Sequence, residues 1–165
     1  MAWHPRVLVV ANVTATAETL IDALKQRAEA DGATFTLLLP STHPGMNGRR
    51  ECQPRLDEAL AAWREAGLEC DGMVGDDDPV FAVRETWDPQ KYDEIIVSTL
   101  PGQASKWLRF DLPHRVAAIT DAKVTHVIGV THEPAQVSPP PHHERPPLGP
   151  LSVLAWGGRQ ESPRR

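Results

Sequence analysis

Tyr92–Leu112, YDEIIVSTLPGQASKWLRFDL, is the stretch on which the fold reading turns. Ile95-Ile96-Val97 reads as a buried strand, Ser98-Thr99-Leu100-Pro101-Gly102 as a small-residue turn, and Asp111 as the residue that opens the next helix. In open α/β sheets, ligands lie beyond the carboxyl ends of strands, over the N-termini of the helices that follow. If the chain has a small-molecule site, it is expected here.

The same alternation extends outward in both directions. Arg6–Ala11 (RVLVVA) is a near-continuous apolar run, as a strand buried on both faces requires, and Asn12-Val13-Thr14 is the turn after it. Ala17, Leu20, Ile21, Leu24 and Ala28 recur at helical spacing before the stop at Gly32. Thr34–Leu39 is the next strand, and residues 40–53 read as a flexible loop. Pro54 fits a first helical turn, with Leu56, Ala59, Leu60 and Trp63 on one face and Gly67 at the end. After a third strand, Asp78-Pro79 signals a cap and first turn, with Val80, Val83 and Trp87 inward. Leu112–Thr120 reads as helix with Val116 and Ile119 inward, followed by a last strand. The strands are expected near residues 6–12, 33–39, 68–74, 93–98 and 124–130. Right-handed crossovers between them imply a three-layer, doubly wound, five-stranded parallel sheet.

At 165 residues, 41% hydrophobic and 24% charged, the chain can bury one ordinary core. A net charge of −5 gives no electrostatic support to a nucleic-acid partner. No run approaches the roughly 20 apolar residues of a membrane span. Met1–Pro5 does not read as a signal sequence. Cys52 and Cys70 form no disulfide framework and are expected to be reduced thiols in a cytoplasmic protein, Cys70 in the core and Cys52 on the loop surface. Half of the 16 prolines lie in Pro134–Pro163, so the α/β domain is expected to end near Val130. Residues 131–165 then form a Pro-rich tail, able to dock through Leu151–Trp156.

Three segments in order resemble a universal stress protein domain: RVLVVANVTATAETLIDAL, GDDDPVFAV and YDEIIVSTLPGQASKWLRFDLPHRV. The resemblance covers about residues 6–130. It implies the strand order 3-2-1-4-5 of the adenine-nucleotide-hydrolase-like folds, and dimerisation through the strand at 124–130 with Val124, Val127, Ile128 and Val130 in the interface. The ATP-binding members carry Gly, two residues, Gly, nine residues, then Gly and Ser or Thr; in register these positions are Ser98, Pro101, Asp111 and Leu112. The resemblance therefore implies a degenerate nucleotide loop. Asn12 stands where those members have Asp near the adenine, and an amide can still hydrogen-bond a base.

The loop residues support that implication physically. Phosphate cradles use glycine so that backbone amides can approach the oxygens. Pro101 has no amide hydrogen, and Asp111 at a helix start is expected to cap the helix with its own carboxylate and repel phosphate. The candidate ligand contacts are Asn12, Thr14, Ser98, Thr99, Gly102, Ser105 and Asp111, with Gly102, Ser105 and Lys106 as a smaller anion nest or, alternatively, an ordinary turn in which Ser105 caps a short helix.

Other constellations read as structural. Asp76-Asp77-Asp78 could hold Mg²⁺, but Asp78 is expected to cap and the others to be solvated. A response-regulator phosphoacceptor site needs an acidic pair after the first strand, where Asn12 stands alone. His132, His142 and His143 are explained by a solvated tail as well as by a metal, His114 could pair with Asp111, and no nucleophile has a supporting base. No G-x-G-x-x-G follows the first strand. The chain is thus expected to be a regulatory or interaction domain, a homodimer with an unidentified protein partner, and without a cofactor. The alternative is an adenine-nucleotide binder with an altered loop, even a slow ATP hydrolase.

Overall fold

The computed structural model describes residues 3–102 and 105–130; the expected tail, its histidines and the docking segment Leu151–Trp156 lie outside the described residues. Five strands form one sheet in the order β3-β2-β1-β4-β5, with β1 Arg6–Val10, β2 Thr34–Pro40, β3 Cys70–Gly75, β4 Glu94–Thr99 and β5 Lys123–Ile128. Every pairing is parallel. The helices are α1 Glu18–Asp31, α2 Gly45–Glu65, α3 Pro79–Thr86, α4 Lys106–Arg109 and α5 Leu112–Thr120. Strand count, order and direction agree with the sequence expectations. The strand limits differ at the ends: β1 stops at Val10, β3 starts at Cys70, and β5 spans Lys123–Ile128 instead of 124–130.

Side chains alternate across a strand, so each central strand feeds two cores. Val7 and Val9 join Leu20, Leu24, Leu37, Leu39, Leu56 and Trp63 in one. Leu8 and Val10 join Leu38, Val83, Ile95, Val97, Leu112 and Val116 in the other. All six residues of β4 are buried, as expected for a strand covered on both faces. Glu94 is the charged one. Arg27 of α1 approaches its Oε1 at 2.6 Å, off the line of a hydrogen bond, and Lys123 of β5 lies 3.7 Å from Oε2. Burying a carboxylate is costly unless opposite charges stand beside it. Gly32 ends α1 with φ 70 and donates its N–H to Ala28 O, a left-handed cap that glycine adopts without Cβ strain.

Helix α2 departs most from the sequence reading. It starts at Gly45, so the expected loop at 40–53 is largely helical and Pro54 lies inside the helix rather than in its first turn. Proline removes one i→i−4 bond. Pro54 is exposed, so water can satisfy the freed Arg50 carbonyl. The buried series Gly48, Cys52, Leu56, Ala59, Leu60 and Trp63 holds the opposite face to the sheet. Cys52 is therefore buried in that face instead of on the surface, while Cys70 is half-buried; burial pushes the Cys70 thiol pKa up, with Arg64 opposing and Asp71 adding to the shift. Val116 packs inward as expected, but Ile119 is 40% exposed, because the last turn of α5 lies over the edge strand β5. Asp78 caps α3, accepting from the N–H groups of Val80 and Phe81. Val83 is buried, and Val80 and Trp87 are half-buried against the second core. No helix among the described residues is long and apolar enough to cross a membrane.

Trp63 is fully buried, and its Nε1 donates to Ala15 O at 2.8 Å, joining α2 to the turn after β1. Trp63→Ala removes this bond and a large core side chain, so it should destabilise the fold by about 3–5 kcal/mol. Urea unfolding monitored by circular dichroism measures this; a loss below about 1 kcal/mol would contradict the packing described.

Candidate functional site

The turns after β1 and β4 are adjacent in space because those two strands pair, Val7 with Glu94 through Val10 with Val97. Chain winding reverses between them, and a crevice opens at their carboxyl ends. A cleft of about 480 Å³ occupies that place, lined by Asn12, Val13 and Thr14 after β1 and by Ser98, Thr99 and Leu100 at the end of β4. Ser105, Lys106 and Trp107 close one side, and Thr42, Arg55 and Asp77 contribute from elsewhere.

The floor is polar and already bonded. Ser98 Oγ donates to Thr14 Oγ1 at 2.8 Å, and both residues are buried. Thr14 also packs on Gly129, where an added Cβ would come within 2.5 Å of Thr14 Cβ. Thr99 Oγ1 and His126 Nε2 are 2.6 Å apart; either atom supplies the proton, according to the imidazole tautomer. His126 is thus an exposed edge-strand residue tied to the cleft wall. Asn12 Nδ2 donates to Pro40 O at 3.1 Å, while its Oδ1 is buried and has no hydrogen-bond partner among the described residues.

Of the residues expected from sequence, Asn12, Thr14, Ser98, Thr99 and Ser105 line the cleft; Gly102 and Asp111 do not. Ser105 Oγ accepts from Leu108 N at 3.2 Å and so caps α4, the ordinary-turn alternative. Gly102 is exposed and outside the lining, whereas Ser105 and Lys106 belong to it.

Asp111 corrects a second expectation. It precedes α5, but its side chain makes no capping hydrogen bond. Its backbone is left-handed, φ 52 and ψ 46, and its Oδ1 instead lies 2.6 Å from His114 Nδ1 on the surface. A capping residue ordinarily has extended φ and ψ, from which its oxygen can reach the following amides; Asp111 has a different backbone geometry. The carboxylate therefore points to His114, not into the cleft. Arg55 and Thr42 were not found from sequence as site residues, and Asp77 was weighed only as a Mg²⁺ ligand and expected to be solvated. Arg55 and Asp77 come from elements whose approach depends on tertiary packing; Pro54 and the spacing of Leu56, Ala59, Leu60 and Trp63 placed Arg55 on a helix but gave no signal that it reaches the cleft. No group of three or more potential metal-ligating side chains is assembled among the described residues.

No family model and no curated protein matches the sequence. Solved structures do match. A universal stress protein in complex with cAMP is 18% identical with a TM-score of 0.55, covering 79% of this chain and 100% of that one. The universal stress protein from Archaeoglobus fulgidus in complex with dAMP is 17% identical with a TM-score of 0.52, covering 77% and 99%. A universal stress protein family protein from Arabidopsis thaliana with AMP bound is 13% identical with a TM-score of 0.52, covering 80% and 97%. The chain has the fold of the universal stress proteins.

The geometry at Asp111 is open to direct measurement. A side chain held left-handed carries strain that glycine lacks, and no cap is lost when the carboxylate goes. Asp111→Gly should leave stability unchanged or raise it by up to about 1 kcal/mol. A loss of about 1 kcal/mol or more in chemical denaturation, the size of a missing N-cap, would restore the capping role.

Proposed function

We propose that this domain is a regulatory or interaction module of universal stress protein type whose cleft holds ATP only weakly. The observation that carries the reading is the state of the loop after β4. Ser98 uses its hydroxyl on Thr14, and Pro101, at the second glycine position, has no amide to offer a phosphate. Two of the positions that form a backbone cradle in the ATP-binding pattern are thus unsuited to a triphosphate. Asp111 carries no part of this reading, since its carboxylate is turned to His114.

A second reading has specific support. Arg55 and Lys106 both line the cleft, with Asp77 as the acidic residue of the lining. Two cations can neutralise a small anion without a glycine cradle. The structures similar to this one include proteins bound to cAMP, dAMP and AMP. The second reading is therefore an adenine mononucleotide held by an altered set of contacts, with the orphaned Asn12 Oδ1 as an acceptor on the cleft wall.

Calorimetry separates the two. ATP with Mg²⁺ should bind with a dissociation constant of about 1 mM or weaker, about 4 kcal/mol; micromolar ATP binding would overturn the first reading. Micromolar AMP binding that is lost in Arg55→Ala would establish the second. Restoring the loop with Ser98→Gly and Pro101→Gly should raise ATP affinity. Leu112, at the final hydroxyl position of the pattern, is kept, because it is buried in the second core and a serine there would cost packing.

The module is also proposed to be a homodimer through β5. This strand forms one edge of the sheet, Ile128 and Val130 are exposed, and Val124 and Val127 are half-buried on its two faces. An uncovered apolar edge invites pairing. Light scattering at micromolar concentration should give twice the chain mass, and Ile128→Lys should shift the mass toward one chain. A monomer mass for the unmodified protein would refute the dimer.

A further inference from the structure

The cleft over β1 and β4 has two unlike walls. Thr42 follows β2 and Arg55 comes from α2, which packs into the first core through Leu56, Leu60 and Trp63. Ser105, Lys106 and Trp107 come from the segment after β4, and Trp107 packs against the second core, on the other face of the sheet. Between these walls lies the floor, where Thr14 and Ser98 are bonded to each other.

The α4 wall suits a ring. Trp107 is the one aromatic side chain among the described lining residues, and it is half-buried. The second core backs the indole, and the bond from Leu108 N to Ser105 Oγ fixes the turn that carries it. A half-buried indole is a stacking platform for a planar base and has little to offer a phosphate. The β4 turn beside it adds few donors, since Ser98 Oγ donates to Thr14 and Pro101 has no amide hydrogen.

The α2 wall suits an anion. Arg55 is half-buried and enters no ion pair among the described residues. Its planar guanidinium can hold a phosphate through two parallel hydrogen bonds. Asp77 in the lining, and Glu51 and Glu58 one turn away on α2, reduce the local positive charge, so the wall suits one phosphate monoester better than a polyphosphate. Lys106 shares the α4 wall, but it is exposed and its ammonium sits on a flexible stem, so it does not fix the direction of the anion. We propose that the cleft takes an adenine mononucleotide in one direction, with the base stacked on Trp107 at the α4 wall and the phosphate turned to Arg55 at the α2 wall. The inference rests on the mononucleotide reading and adds to it a base-recognition residue, Trp107, and an orientation.

The test uses the full chain, isotopically labelled, with AMP and ribose phosphate as ligands. Nuclear Overhauser contacts should join the adenine ring protons to the Trp107 indole and not to Thr42. AMP should bind at least about tenfold more tightly than ribose phosphate, and Trp107→Leu should remove most of that difference. Arg55→Ala should weaken both ligands by the same factor. The contacts and the ligand comparison are read on the unmodified chain, so they do not depend on a variant folding. Adenine contacts to Thr42 in place of Trp107, or equal affinity for the two ligands, would overturn the orientation; AMP binding that still depends on Arg55 would then leave the mononucleotide reading standing. Equal weakening of both ligands by Trp107→Leu would make the indole a structural part of the wall and overturn its role in base recognition. No AMP binding at about 1 mM would overturn the reading and the inference together.

Discussion

The parallel pairing of β1 with β4 is the constraint from which the remaining structure follows. It joins residues more than 80 positions apart, with β2 and β3 lying to one side of the pair. The strand that follows must then go to the other side, which leaves the two turns facing each other over one crevice. The Ser98–Thr14 hydrogen bond closes this seam at its carboxyl end, and the Gly129–Thr14 contact brings the segment after β5 to the same point. The Glu94 ion cluster ties the amino end of β4 to α1 and β5. The carboxyl end of the seam is thus held by a buried hydrogen bond and the amino end by charge contacts, in which Glu94 Oε1 accepts no hydrogen bond among the described residues. Such groups are costly to bury unless fully partnered.

That arrangement bears on chemistry. Ser98 supplies a hydroxyl for the architecture at a position where a glycine would expose backbone. Thr99, Lys106 and Arg55 remain at the cleft wall, and His126 reaches Thr99 from the edge strand. The cleft has the place of a nucleotide site in a doubly wound sheet, with a different set of donors. In the proposed second reading, the side-chain cations Arg55 and Lys106 of its lining, more than backbone amides, would meet a small anion.

Most of the fold was legible in the sequence because strands buried on both faces write themselves as apolar runs. RVLVV and EIIVST could be read directly, and the alternation with helical segments fixed the parallel winding. Order 3-2-1-4-5 came from the family resemblance rather than from periodicity. What failed were readings in which a local signal met a tertiary one. Pro54 suggested a helix start, yet the buried face from Gly48 to Trp63 carries the helix through it. Asp111 looked like a cap by residue type, but a left-handed backbone turned its carboxylate to His114. Arg55 was invisible as a site residue because its place in the cleft depends on how α2 lies over the sheet. Five of the seven expected contacts do line one cleft: Asn12 and Thr14 on the turn after β1, Ser98 and Thr99 at the end of β4, and Ser105 at the cap of α4.

The central claim is that the hydroxyls of Thr14 and Ser98 are committed to each other across the seam. A double-mutant cycle on Thr14→Val and Ser98→Ala measures this commitment, since valine keeps the methyl contact with Gly129 while both changes remove only the bond. Equilibrium unfolding of the four proteins should give a coupling free energy of about 1 kcal/mol, as expected for a buried neutral hydrogen bond. Additivity within about 0.3 kcal/mol would mean that the two hydroxyls act independently, and the account of the seam would be wrong.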